Sequence, residues 1–187
     1  MPDPVVTLRA ANDGDLSFLS ELTSHEMVAP FLMPGAGEPE RLTRLLGLTG
    51  QEDRPYGLFM IELGGDPVGA LTLEPFSERS RICQVTGMMI SPHARRAGIA
   101  LAALRLACRS ALVEYRQHRV QAETYGDNVA GQRLFERAGF KREGTRRQAY
   151  WRRAQWLDGV LYGILAEEAE QPSARQPREQ IDPPDTG

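Results

Sequence analysis

The chain has 187 residues, 41% of them hydrophobic, 25% charged and 7% aromatic, close to the average of a globular protein and long enough to bury one sizeable core, which excludes a chain disordered over its bulk. No stretch approaches the ~18–20 uninterrupted apolar residues of a membrane helix, and the opening MPDPVVTLRA lacks the basic and apolar regions of a secretory signal, so the expected location is the cytoplasm. The formal net charge of −3 hides an uneven distribution: residues 79–153 carry 16 basic and five acidic side chains, a net of +11, whereas 167–187 carry six acids against two arginines.

Taken in chain order, Val5 to Leu8 reads as an opening strand. Asn12 or Asp13 can cap a helix whose Leu16, Leu19 and Leu22 recur every three residues, and Leu42, Leu45 and Leu46 predict a second helix over 39–48. The period then changes. Two apolar runs, 56–63 and 68–73, flank Gly64-Gly65-Asp66 as a hairpin, and 81–91 is a further strand stopped by Pro92. Helical spacing returns from Gly98 to Gln117. A strand over 119–125, a helix over 130–138 closed by Gly139, and two strands near 144–153 and 157–166 complete the pattern. From Gln171 the chain is rich in Pro, Gln and Arg and has no aromatic residue, so residues 167–187 are expected to form a disordered acidic tail outside a single domain over 1–166. Strands alternating with helices predict a mixed α/β domain, one central sheet with helices on its faces.

Cys83 and Cys108 form no disulfide framework and read as buried free thiols, and His25, His93 and His118 are too scattered for a zinc cluster, so no metal is expected. The chemistry concentrates in Ser91-Pro-His-Ala-Arg-Arg-Ala-Gly-Ile-Ala100, between an apolar strand and an amphipathic helix. A glycine-bearing basic turn leading into a helix presents unpaired N–H groups and the positive end of the helix dipole to an anion. It is neither a Walker loop, lacking G-K-[ST], nor a G-x-G-x-x-G dinucleotide fingerprint. The net positive segment calls for an anionic partner, a phosphorylated cofactor or nucleic acid.

Thirty residues after Gly98 comes Asn128-Val-Ala-Gly131, followed by Leu134-Phe135-Glu136-Arg137-Ala138-Gly139-Phe140. The pair of motifs resembles the GNAT superfamily of acyl-CoA-dependent N-acyltransferases: Arg95, Gly98 and Ala100 match its [QR]-x-x-G-x-[GA] cofactor motif, and Asn128, Leu134, Phe135, Arg137, Gly139 and Phe140 match its following motif, with Gly131 replacing the usual Ala or Ser. Asp158 and the opening 8–32 resemble the RimJ/RimL-like branch, and the resemblance covers about residues 5–166. It implies a six- to seven-stranded, mostly antiparallel sheet splayed after the fourth strand, with helices on both faces. It further implies acetyl-CoA lying in the gap, its arm paired with backbone near Met89, Ile90 and Ser91. The diphosphate would lie on the amides of Arg96, Ala97, Gly98, Ile99, Ala100 and Leu101, with Arg95 also binding the cofactor, Asn128 bonding the arm and Phe135 packing on its thiol end. Homodimers are common in the family.

Transfer needs a neutral amine, a polarised thioester carbonyl and a proton for the leaving thiolate. Glu123, five residues before Asn128, has the spacing of the base glutamate in RimI-like relatives; the amide near Ile90 would polarise the carbonyl. Three positions depart from the family. Gln84 stands where the histone-acetylating branch has its glutamate, Phe135 where many relatives have a tyrosine acid, and Tyr150 near the base position of RimL, so the ribosomal-protein substrate does not carry over. Tyr125 or Tyr150 could supply the proton. The segment from His25 to Gly50, with Phe31, Met33, Pro34 and Gly35-Ala36-Gly37, would cover the acceptor, either a small-molecule amine or a protein N-terminus. Two rivals stand beside this reading. One is an acyl-CoA-binding module without turnover, suggested by Gln84 and Phe135; the other is a nucleic-acid-binding domain, suggested by the basic segment.

Overall fold

The computed structural model describes residues 5–169 apart from Pro34, Glu52 and Arg96. β1 (Val6–Ala10) leads through a 3-10 turn, Asp13–Asp15, into α1 (Leu16–Ser24), and α2 (Pro39–Leu48) follows. The start expected at Asn12 is there in a modified form. The Asn12 side chain accepts from Gly14 N–H and Asp15 reaches back to Asn12 N–H, a reciprocal cap on the 3-10 turn rather than on the α-helix itself. β2 (Gly57–Leu63), β3 (Asp66–Ser77) and β4 (Ile82–Ile90) form a meander. α3 (Ile99–Arg109) loosens into a π-helical turn, Ser110–Glu114, so the helical spacing expected as far as Gln117 ends sooner. β5 (Arg119–Tyr125), α4 (Val129–Ala138), β6 (Lys141–Arg152) and β7 (Gln155–Leu165) complete the domain. Residues 167–169, expected in the tail, instead form with Ala166 the short α5 (Ala166–Ala169); there Glu168 accepts from Leu165 N–H and pairs with Lys141. The rest of the expected tail, 170–187, lies outside the described residues.

The seven strands form one sheet in the order β1-β2-β3-β4-β5-β7-β6, antiparallel everywhere except between β4 and β5. This is the mixed, mostly antiparallel sheet that the resemblance implies. Helices cover both faces. On one, α3 and α4 bury Ile99, Ala103, Leu104 and Phe135 against Cys83, Val85, Val120 and Ala122. On the other, α1 and α2 bury Leu19, Leu22, Leu42 and Leu45 against Leu58, Met60, Ala70 and Met89. The second cover lies over β2, β3 and the end of β4. Over β5, β7 and β6 the same face carries Glu123, Tyr125, Tyr150, Leu157 and Leu161. Among the described residues no helix is long and apolar enough to cross a membrane, and no three His, Cys, Asp or Glu side chains are grouped to hold a metal.

Candidate active site

Parallel pairing of β4 with β5 runs only from Ile82↔Arg119 to Val85↔Ala122. The cause lies on the other edge of β4. There Ala70 pairs with Met89 but Thr72 with Thr86, so β4 spends one more residue than β3 over the same span. The surplus is accommodated at Gly87, whose φ of 57° suits a residue without Cβ. Such a bulge bends its strand, and β4 leaves β5 at this point. Strand amides alternate between edges. Because Ser91 N–H donates to Val68 O on β3 at 2.8 Å, Ile90 and Met88 direct their main-chain groups to the opened edge, while Met89 and Ser91 face β3. Of the three residues expected to meet the cofactor arm, Ile90 alone turns its backbone to this edge, and its carbonyl there already accepts from Arg95 Nε at 3.2 Å.

The opened edge leads to the start of α3. Gly98, with φ 77°, is its N-cap and no side chain caps it. Ala102 N–H donates to Gly98 O at 3.0 Å, so the amides of Ile99, Ala100 and Leu101 lie ahead of the first helical bond and are available to an anion. Nothing lies within 4 Å of the place a Gly98 Cβ would take. Arg95 is placed differently from a phosphate ligand: besides Ile90 O, its guanidinium donates to Met27 O at 3.0 Å, tying β4 to the segment before α2. Ala97 is exposed, Ile99 is core, and Arg96 lies outside the described residues.

Between the separated strands is a cleft lined by Gln84, Thr86, Gly87 and Met88 of β4, by Glu123, Thr124 and Tyr125 of β5, by Asn128, Leu134 and Phe135 around α4, and by Phe31, Leu32 and Met33 above. Glu123, Tyr125, Asn128 and Phe135, chosen from the sequence, thus meet in one place. Asn128 caps α4: its Oδ1 accepts from Gly131 N–H at 3.0 Å and its Nδ2 donates to Thr124 Oγ1 at 2.9 Å. Phe135 packs on Phe140 and Tyr162, ring centroids 5.3 and 5.4 Å away.

Glu123 is held by residues that sequence reasoning passed over. Arg146 Nη1 donates to its Oε2 at 3.0 Å, and its Oε1 is buried without a partner. That oxygen rests against the backbone of Gly159, where any Cβ would overlap it. Tyr150 borders the same carboxylate; burial first, then the neighbouring Glu123 carboxylate, push the Tyr150 hydroxyl up to about 12. Tyr125, buried and 5.1 Å from Tyr150 edge-on, donates to Leu32 O at 3.3 Å, and burial raises it too. Both phenols keep their protons at neutral pH. Gln84 accepts from Gln121 Nε2 at 3.3 Å and offers no base. One signal for the bulge was present: a glycine inside an apolar strand pattern. No local signal marks Arg146 or Gly159, which reach Glu123 only through strand pairing.

A free strand edge running into an uncapped helix N-terminus fits an extended amide arm ending in a diphosphate, so the fold and cleft define an acyl-CoA-dependent acyltransferase. The sequence profile of the acetyltransferase (GNAT) domain matches residues 6–141, and the chain belongs to that family, whose cosubstrate is acetyl-CoA and whose reaction is N-acetyl transfer. No curated protein sequence matches the chain. Among solved structures, the spermidine N-acetyltransferase from Vibrio cholerae in complex with CoA and spermine is similar, with 21% identity, TM-score 0.75 and cover of 88% of this chain and 97% of that one. An acetyltransferase (GNAT family) from Bacillus anthracis has 20% identity, TM-score 0.73 and cover of 87% and 96%. At such identities the likeness speaks for the fold.

Proposed function

We propose that this protein transfers the acetyl group of acetyl-CoA directly to a primary amine in a ternary complex, with Glu123 as base, and that it belongs to the RimJ/RimL-like branch. The observation that carries this reading is a buried, unpartnered carboxylate oxygen, Glu123 Oε1, the only one among the described residues, beside the point where β4 and β5 separate. A carboxylate oxygen without a donor has its lone pairs available for the proton of an amine or of an intervening water. The bound cosubstrate supplies a thioester carbonyl and a leaving thiolate. Backbone at Ile90 and Met88 would hold the arm, the Ile99–Leu101 amides would hold the diphosphate, and Tyr150 or Tyr125, both protonated, would stand ready to donate. Phe31 to Met33 line the cleft from above. The acceptor is a small-molecule amine in preference to a protein N-terminus, a reading supported by the apolar side chains of Phe31, Leu32 and Met33 along the cleft.

The test is release of free CoA on an amine panel by wild type and Glu123→Gln, with acetyl-CoA affinity measured by calorimetry. Loss of the base should lower turnover by roughly 10²-fold or more and leave the affinity within twofold; an unchanged rate removes Glu123 from the mechanism. The Arg146–Glu123 ion pair favours a second reading, a module that binds acyl-CoA without turnover. Tight cofactor binding with no CoA release on any amine would establish it.

A further inference from the structure

We infer that the acceptor is a small primary amine that also carries a carboxylate, and that Arg152 binds that carboxylate. The inference rests on the acetyl-transfer reading and deepens it. Glu123 is the only carboxylate among the described residues lining the cleft, and Arg146 already holds it. Glu74, which touches the cleft through the Thr86 hydroxyl at 2.6 Å, is held by Arg41 at 2.7 Å with Arg44 3.6 Å away. Asp127, just before Asn128, is paired with Arg153. An acceptor with several positive charges would find each of these carboxylates already neutralised.

The described lining carries no cation of its own, but Arg152 stands beside it at the Tyr125 end. Arg152 is half-buried and has no carboxylate within ion-pair distance among the described residues. Its guanidinium stands 5.6 Å from the centroid of the Tyr125 ring, and its one hydrogen bond is a long one, 3.5 Å to Ala29 O. It therefore lies between the segment over the cleft and the β6–β7 hairpin, with most of its donors unspent. A guanidinium withdrawn from water gains most from a planar anion that accepts two N–H groups at once. Glu123 and Tyr125 share a face two residues apart, about 7 Å along the strand. An amine at Glu123 and a carboxylate at Arg152 would thus be several bonds apart, as in a short ω-amino acid.

The test compares acceptor pairs, each an amino carboxylate against its own primary amide, from glycine to 6-aminohexanoate, with spermidine as a polycation control. CoA release is followed with wild type, Arg152→Gln and Arg152→Lys. At least one carboxylate should show a KM about tenfold below that of its amide. That preference should collapse toward one in Arg152→Gln and be partly kept by Arg152→Lys. Amides or spermidine used as well as the carboxylates, or a preference unmoved by Arg152→Gln, overturns the inference. Acetyl-CoA affinity, measured by calorimetry on the same samples, separates the two levels: its absence refutes acetyl transfer itself, whereas intact affinity with no carboxylate preference, or no carboxylate turned over, refutes only the role of Arg152.

Discussion

Glu123 gains its geometry from residues on three strands. β5 supplies the side chain, Arg146 on β6 takes one oxygen, and Gly159 on β7 leaves room for the other. Gly159→Ala should therefore displace the carboxylate rather than merely strain the sheet. Turnover should fall well below wild type while acetyl-CoA affinity, set on β4 and α3, stays within about twofold; equal losses in both would mean general distortion. Asn128 can be separated in the same way. Asp is as good an N-cap as Asn, so Asn128→Asp should hold the melting temperature while losing the amide donor and weakening acetyl-CoA binding. Asn128→Ala should lose about 1 kcal/mol of stability as well; if Asp costs nothing in affinity, the residue acts only as a cap. The cysteines are simpler. Burial pushes Cys83 up to about 12 and Cys108 higher still, so neither is a thiolate nucleophile. A maleimide reagent should leave native activity intact and label only on unfolding. The sequence reading reached Glu123, Tyr125, Asn128 and Phe135 because their motif is local, spread over thirteen residues with one glycine-capped helix. It missed Arg146 and Gly159 because their relation to Glu123 exists only after β5, β7 and β6 have paired.

Among elements, β4 decides whether there is a site at all. Its first half is ordinary sheet, and its second half is an open edge because of the bulge at Gly87. A Cβ there would meet Thr72 Oγ1 at 3.3 Å, tolerable by itself; the cost of Gly87→Ala comes from holding a non-glycine residue at positive φ. That cost is about 1 kcal/mol or more, which would lower the melting temperature by a few degrees. Relief of the strain would move β4 back toward a regular ladder and β5, so acetyl-CoA affinity should drop further than stability does. Retained affinity in a destabilised variant would separate the bulge from the cofactor edge. Most strands and helices were legible within a few residues, since apolar period and turn glycines act locally. The exceptions have physical reasons. The third strand runs on to Ser77 past Pro75, because Pro75 lies beyond the last pairing with β2, Gly57↔Leu73, and its nitrogen faces that vacant edge, where no ladder bond asks for an N–H. The long helix changes at Ser110 to a π-helical turn, which apolar spacing does not distinguish from α-helix.

Over the whole molecule, the excess of arginine between 79 and 153 reads from sequence as a field for a phosphorylated cofactor. In the fold three of these arginines meet acids of the same segment, which that excess already discounts: Arg119 binds Glu143, Arg146 binds Glu123 and Arg153 binds Asp127. Charge totals along a chain cannot reveal which cations meet acids across a sheet. The same pairing dictates how stability responds to acid. Arg9 binds Asp15 through two N–H groups, both at 2.7 Å, and holds its carboxyl below the usual range against the opposing effect of burial. Arg119 does the same for Glu143, and Lys141 with Leu165 N–H for Glu168. Each folded carboxyl titrates below its unfolded counterpart, which lies near ~3.9 for Asp and ~4.3 for Glu. The unfolded chain therefore binds more protons in the acid range, and stability must fall as pH drops. The contribution is complete above about pH 5–6 and disappears as pH passes through ~4 toward the depressed folded values. Thermal unfolding followed from pH 7 to 3 should show a flat region and then a steep fall. Asp15→Asn should start lower at pH 7 and fall less between pH 6 and 3, because its titration no longer distinguishes the two states. A wild-type melting temperature unchanged down to pH 3, or an Asp15→Asn curve parallel to it, would mean that these ion pairs add nothing to the fold.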